Sequence, residues 1–332
     1  MKNTLKKIAV LLVLSVMLSA VVWAGGSQEG SKGSEEESGK IKVAYSSVGD
    51  PNPWFIAFSE ELEKEAEKRG IDFRVTHAQA KIEKQIADVE DLVAQKPDVL
   101  ILGPIDVEGS AEALPIAKKA GVPVLVVNRD IRGVPGEDYM SRIYSDFEWI
   151  GSKCADVLAE TFGSAPIKVV ELHGTPGGGN TIGLAKGFRD SMEKYPNMEI
   201  VSSQLGDYNR ATAMASMENI IQSGVEFNAV YGHFDEEALG AIQALKAAGM
   251  KPGSDWENGE IVIVADGGIT DALKAIKAGE YHASVTCSPY YAGQVFDAIE
   301  AYLAGENLPD YIRVDDFVID QTNIDEYMWF GF

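Results

Sequence analysis

Three short motifs bring flat rings, a guanidinium, amides and a carboxylate together, each following a strand-like run. Asp50-Pro51-Asn52-Pro53-Trp54-Phe55 follows the first run. Its prolines hold the loop extended. Asn52 offers an amide, and Trp54 and Phe55 offer rings. Core packing at a helix start is the competing reading. Adjacent side chains cannot both face the same way, however, so at least one ring is expected in a cleft. Asn128-Arg129-Asp130 follows the run at 122–127. Arg129 presents five donors in a fixed fork, and Asn128 can donate and accept. A surface arginine after a strand is the plainer alternative. Asp266-Gly267-Gly268 follows the run at 261–265. A carboxylate there can accept from two hydroxyls, and the glycines permit close approach. A pyranose or furanose, with an apolar C–H face and a rim of hydroxyls, needs this mixture of rings and planar polar groups.

Other chemistries find little support. His173-Gly174-Thr175-Pro176-Gly177-Gly178-Gly179-Asn180 is a glycine-rich loop opening a helix, a place where phosphate can bind. It fits neither G-x-x-x-x-G-K-[ST] nor G-x-G-x-x-G, so a ligand-facing loop is preferred to a nucleotide site. His77, His173, His233 and His282 form no close ligand pair, and there is no Cys-x-x-Cys. His233 with Asp235 is the one combination that could contribute to a metal site, and no metal or cofactor is expected. No G-x-S-x-G elbow is present. The 51 Asp and Glu residues make chance proximity certain, so no acid/base pair stands out. The chain is not expected to be an enzyme.

The elements that must carry these motifs alternate strictly. Strand patterns fall at 41–45, 71–75, 99–102, 122–127, 167–172, 199–205, 228–231, 261–265 and 282–286. Helix patterns fall at 54–69, 82–94, 108–120, 147–162, 181–195, 210–223, 236–248, 270–279 and 289–304. Such alternation predicts an α/β protein of parallel sheets with helices on both faces, ligands meeting the carboxyl ends of the strands. The segments 99–121 and 229–249 echo one another: strand, polar turn with Asp, then an Ala-rich helix ending in Lys and Gly. Two similar domains explain this, although any two βα units share some likeness. The length of 332 residues also favours two domains.

Residues 1–24 are built differently. Lys2, Lys6 and Lys7 precede an apolar run over 8–22, and Val22-Trp23-Ala24 offers small residues at the −3 and −1 positions. This predicts a secretory signal peptide cleaved after Ala24. A transmembrane anchor is the rival, but the run falls short of the roughly 20 residues a crossing needs. Residues 25–39 have nothing apolar to bury and are expected to be a disordered tether. The formal net charge of −22 opposes partnership with nucleic acid or an anionic membrane surface. Cys154 and Cys287 permit at most one bridge, which excludes a disulfide scaffold.

Together the motifs resemble the periplasmic sugar-binding proteins of ABC importers, of the ribose/galactose type and nearest the galactofuranose-binding branch. The resemblance rests on the aromatic loop at 52–55, VPVLVVNRD at 122–130, KVVELHGTPG at 168–177, GDYNRATAMASMENI at 206–220, DEEALGAIQALKAAGMKPG at 235–253 and ADGGITDALKAIKAGE at 265–280. It implies a type I periplasmic binding protein: two doubly wound parallel-sheet lobes joined by three hinge crossings. One lobe would hold 40–142 and 288–318, the other 143–287 and 319–332. It implies that Asn52, Trp54 and Phe55 line the first lobe, Asn128 and Arg129 grip hydroxyls, Tyr208 packs from the second lobe and Asp266 accepts near a hinge. A periplasmic monomer that delivers a monosaccharide to an ABC permease is expected. A sugar sensor presenting its ligand to a chemoreceptor or kinase is the alternative, and a secreted carbohydrate-active enzyme a more distant one. The chain also departs from the family. Leu184 stands where an arginine is frequent, Phe234 where Asn precedes Asp-Glu, Cys287 where a polar residue is usual, and Gly103 where ribose binders carry Asn. Lost hydrogen-bonding groups at such places would suit a less hydroxylated, smaller or altered sugar. Phe234 and Cys287 are expected at the site.

Overall fold

Helix and strand boundaries in this protein are set by local chemistry that can be read residue by residue. The structure, a computed structural model, describes residues 39–49 and 52–332. The expected signal peptide over 1–24, the expected tether up to residue 38, and Asp50-Pro51 lie outside the described residues. Helix α1 (Pro53–Arg69) starts on Asn52, whose side chain caps it, has Pro at its first position, and stops at Gly70 with φ of 70°. Lys68 and Arg69 in its last turn complement the helix dipole.

The first sheet contains β1 (Lys42–Ser47), β2 (Asp72–His77), β3 (Val99–Leu102), β4 (Val124–Val127), β5 (Ser141–Ser145) and β12 (Tyr311–Val314), in the order β12-β5-β4-β3-β1-β2. All its pairings are parallel. Strand alternation divides its side chains between two layers. Val43, Tyr45, Val99, Ile101, Leu125 and Val127 meet Phe58 and Leu62 of α1 and Phe296 of α9 (Ala292–Leu303). Ala44, Leu100, Leu102, Val124 and Val126 meet Val89 and Leu92 of α2 (Ile82–Ala94) and Leu114 and Ala117 of α3 (Ala113–Ala120). A sheet covered on both faces is the result.

The second sheet repeats this plan. It contains β6 (Ile167–His173), β7 (Met198–Leu205), β8 (Ala229–Gly232), β9 (Lys251–Gly253), β10 (Glu260–Gly267), β11 (Ala283–Thr286) and β13 (Val318–Asp320). The order is β13-β11-β10-β8-β6-β7, with β9 attached to β10. β3 and β8, which begin the two echoing segments, hold equivalent places. The sheets differ at one edge, where β12 runs parallel to β5 and β13 antiparallel to β11. The second lobe's helices are α4 (Phe147–Phe162), α5 (Gly179–Met192), α6 (Arg210–Ser223), α7 (Asp235–Ala247), α8 (Thr270–Ala278) and the short α10 (Ile324–Tyr327).

The chain passes between the sheets three times: at Asp146, over 287–291 and over 315–317. The expected division after residue 142 falls inside β5, which the sequence pattern did not reveal. The division after 318 falls inside β13. Both lobes belong to one compact unit spanning Ile41–Phe332. No helix of the described residues is long and apolar enough to cross a membrane. Cys154 and Cys287 are both free and buried.

Helices α4 and α5 approach closely because they meet on glycines. A Cβ on Gly187 would overlap the carbonyl of Glu148, and one on Gly151 would overlap that of Leu184. Gly293 in α9 faces open space, with nothing within 4 Å of an added Cβ. Gly187→Ala should therefore cost about 1–3 kcal/mol in urea unfolding, while Gly293→Ala should stabilise by about 0.5 kcal/mol. Equal effects of the two substitutions would show that this helix contact is not close-packed.

Candidate functional site

The carboxyl ends of the two sheets face one small cavity of about 30 Å³. All nine residues singled out from the sequence line it: Asn52, Trp54, Phe55, Asn128, Arg129, Tyr208, Phe234, Asp266 and Cys287.

On the first lobe, Asn52 Oδ1 accepts from Trp54 N at 2.9 Å and so starts α1. Trp54 stacks on Phe58 with ring centroids 5.0 Å apart. Its Nε1–H donates to the Cys287 carbonyl at 2.9 Å, tying α1 to the second crossing. Phe55 stands at 83° to Trp54 and turns towards Arg129, whose guanidinium lies 5.1 Å from its ring centre. The neighbouring rings therefore point different ways, and both reach the cavity. Asn128 has φ of 66°, a left-handed conformation that Asn tolerates better than most residues. Its N–H donates to Ile143 O at 2.8 Å. The turn aims Arg129 inward, where Nη1 donates to Ile105 O at 2.9 Å.

Tyr208 reaches across from the second lobe, with its ring centre 5.9 Å from the Arg129 guanidinium. One cation thus lies against rings of both lobes. Gly174 makes this possible, because a Cβ there would overlap the Tyr208 ring. The Tyr208 hydroxyl shares a 2.7 Å hydrogen bond with Thr181 Oγ1, and burial pushes its phenol well above the ordinary range. Phe234 meets Tyr208 edge to face at 6.4 Å. The lobes also touch at the rim, where Val107 N donates to Gly177 O at 3.4 Å and Gly179 faces Asp130. A Cβ on Gly179 would come within 2.7 Å of Asp130 N.

Three further residues complete the lining: Phe147, Asn180 and His233. Each stands close behind a strand end, at the first crossing, at the end of the glycine-rich loop and just after β8. The rule that strand ends carry the site reaches all three. The sequence offers His233 only as a metal ligand beside Asp235, whereas in the structure the two side chains take different partners. His233 Nε2 meets Glu171 at 3.2 Å, whereas Asp235 accepts from the backbone of Gly268 and Ile269 and from Tyr281 and Ser284. The departure at Leu184 also changes meaning. Leu184 is fully buried in the core, so the position removes nothing from the cavity, and Asn180 one turn earlier faces it. At Gly103 an added Cβ would lie 3.2 Å from the Tyr45 hydroxyl. Tyr45 fills the room a longer side chain would need.

Among the described residues, four acceptor atoms on this lining are buried and meet no hydrogen-bond partner: Asn128 Oδ1, Asn180 Oδ1, His233 Nδ1 and Asp266 Oδ1. Around them lies a set of buried carboxyls. Burial pushes Asp266 well above the ordinary range, and Asp235 and Glu237 add to it. Burial also raises Asp235 to about 6 and Glu237 to about 8, against hydrogen bonds that lower both. At the third crossing Asp316 is raised to about 6 by burial, while it accepts from Ser288 N and Thr286 Oγ1.

Two doubly wound lobes, three crossings and a site at the facing strand ends define a type I periplasmic binding protein. The sequence matches the periplasmic binding protein domain over residues 43–307, and the chain belongs to that family. It is similar to the galactofuranose-binding protein YtfQ of Escherichia coli, 36% identical over 277 residues, 82% of this chain and 86% of the relative. The ribose import binding protein RbsB of Bacillus subtilis is 31% identical over 296 residues, 87% of this chain and 90% of the relative. Among solved structures, the periplasmic binding protein component of the arabinose ABC transporter from Shewanella sp. ANA-3, bound to α- and β-L-arabinofuranose, is 38% identical. It superposes with a TM-score of 0.81, covering 87% of this chain and 94% of that one.

The raised carboxyls have a measurable consequence. Glu237 holds its proton more tightly folded than unfolded, so its contribution is full below the ordinary carboxylate range and is lost as pH rises through about 8. Glu237→Gln keeps the shape and removes the titration. Its urea midpoint should gain on the wild type between pH 5.5 and pH 8.5. A constant difference across that range would mean that Glu237 is not proton-linked to folding.

Proposed function

We propose that this chain is an extracytoplasmic solute-binding protein that takes a monosaccharide, in furanose form, between its lobes and delivers it to an ABC permease. The observation that carries this reading is the lining itself: five aromatic side chains beside four buried acceptors that have no donor among the described residues. A polyhydroxylated ring supplies hydroxyl hydrogens to such acceptors and a C–H face to the rings. The lining contains a single guanidinium and a single carboxyl among the described residues. Without a second cation it favours a neutral sugar over a phosphate ester. The names of the similar proteins, which include galactofuranose and arabinofuranose binders, point the same way.

In this reading no covalent bond is made or broken. Asn128 and Arg129 hold the sugar from the first lobe; Asn180, Tyr208, His233 and Asp266 hold it from the second. Trp54, Phe55 and Phe234 cover its faces, and Asn52 and Cys287 close the edge. Without sugar the lobes swing apart about Asp146, 287–291 and 315–317. Sugar binds the closed form better and shifts the population towards it. A monomeric chain, exported by its first 24 residues, then offers the closed surface to the permease.

A thermal-shift and calorimetric screen over L-arabinose, D-galactose and D-ribose tests this. A sugar at 100 times its Kd should add about 2.7 kcal/mol of stability. Asp266→Ala should weaken binding by about 10- to 100-fold while the protein stays folded. Gly179→Ala should weaken it too, by keeping the rim from closing. The reading fails if wild type binds no sugar, or if Asp266→Ala binds as tightly as wild type.

A further inference from the structure

Behind the cavity a line of charge runs inward from the surface of the second lobe. Arg189 forks both oxygens of Glu171, Nη1 to Oε1 at 2.8 Å and Nη2 to Oε2 at 2.6 Å. Ser203 donates to Oε2 at 2.6 Å. The remaining neighbour of Oε1 is His233 Nε2 at 3.2 Å. Glu171 and His233 are both almost wholly buried.

This arrangement fixes where the imidazole proton sits. Burial pushes the Glu171 carboxyl up, but hydrogen bonds from His233 and Arg189 outweigh it and bring it down to about 2. An ionised carboxylate has no hydrogen to give, so Nε2 must carry one and donate it. Burial lowers the His233 imidazole from its ordinary range, so the ring is neutral at pH 7 and holds a single N–H. Nδ1 is then a lone pair. It is buried, has no donor in the protein, and belongs to a residue that lines the cavity. Tyr231 packs against the ring at 5.0 Å and limits its rotation.

We propose that His233 is a specificity-determining residue of the sugar site: its Nδ1 accepts a hydrogen bond from one ligand hydroxyl, and Glu171 and Arg189 are positioning residues that hold the Nε2–H tautomer. The proposal rests on the sugar-binding reading and deepens it. An Nδ1 lone pair selects for a hydroxyl at one place on the ring and rejects a deoxygenated carbon there. The neighbouring Phe234, which offers no polar atom, leaves that selection to His233.

Two measurements test it. The first is ¹⁵N NMR of the imidazole at pH 7, which should show the Nε2–H tautomer in the free protein and a shift of Nδ1 on saturation with whichever of L-arabinose, D-galactose or D-ribose binds. The second is calorimetry with that sugar and its monodeoxy analogues. His233→Phe should weaken the parent sugar by about three- to tenfold and match wild type for one monodeoxy analogue. His233→Asn, which keeps an acceptor at the δ position, should stay within about threefold of wild type. An Nδ1–H tautomer or an imidazolium overturns the proposal. So does a His233→Phe protein that binds the parent sugar as wild type does, the result expected if only a buried water occupies Nδ1. If wild type binds none of the three sugars, the functional reading itself falls and this role falls with it. If wild type binds and His233→Phe is silent, only the role falls.

Discussion

A buried acceptor that lacks a donor costs about 1–3 kcal/mol, and the cleft of this protein contains four. In the proposed function, a closed form without ligand is disfavoured relative to an open form in which water reaches those atoms freely. Moving a two-state equilibrium from mostly open to mostly closed takes about 5.5 kcal/mol of differential binding. A ligand that supplies three or four hydroxyl hydrogens is in that range without any other contribution. In the proposed function the unpaired acceptors thus drive closure as well as selectivity.

Chain segments approach closely around the cleft, and three glycines permit it. Gly174 leaves space for the Tyr208 ring, Gly179 lets the second lobe reach Asp130, and Gly267, with φ of 140°, lies against Asp235 and Phe234. The second acts directly at the facing edges; the first and third act within the second lobe. Trp54 serves a different purpose. Its bond to the Cys287 carbonyl connects the start of α1 to a crossing, so a ring that faces the cavity is also part of the hinge. Asp316, bonded to Ser288 and Thr286, links the second and third crossings in a similar way.

Much of this fold could be read from the residues because burial imposes a period. Strands β3, β4 and β10 carry nearly continuous aliphatic runs, as expected of strands covered on two faces. β5 escaped notice because Ser-Arg-Ile-Tyr-Ser contains a single aliphatic residue, and β12 and β13 are short edge strands with partly exposed sides. The site was legible for a topological reason: in a parallel sheet, strand ends converge, so position along the chain stands in for position in space. Composition could not say which side of a helix faces the cavity. Leu184 and Asn180 are one turn apart on α5, and their burial separates a core position from a lining one. The role of His233 was hidden for a related reason, since Glu171 lies on the neighbouring strand and only sheet pairing brings the two together.

The polar groups are divided unevenly between the lobes. The first contributes Arg129, a pure donor, and the amide of Asn128; the second contributes Asn180, His233 and Asp266, three of the four unpartnered acceptors. A ligand seated on one lobe alone would leave much of its own hydrogen-bonding capacity to water. Only a molecule whose hydroxyls both accept and donate, on opposite edges of one small ring, meets both halves at once. That asymmetry makes the bridged state better bound than either half, which is the thermodynamic condition for a ligand to shut the cleft. In the proposed function, apolar residues at 234 and 287 suit the margin, because the bridging contacts fall to the other lining residues and these two need only exclude water.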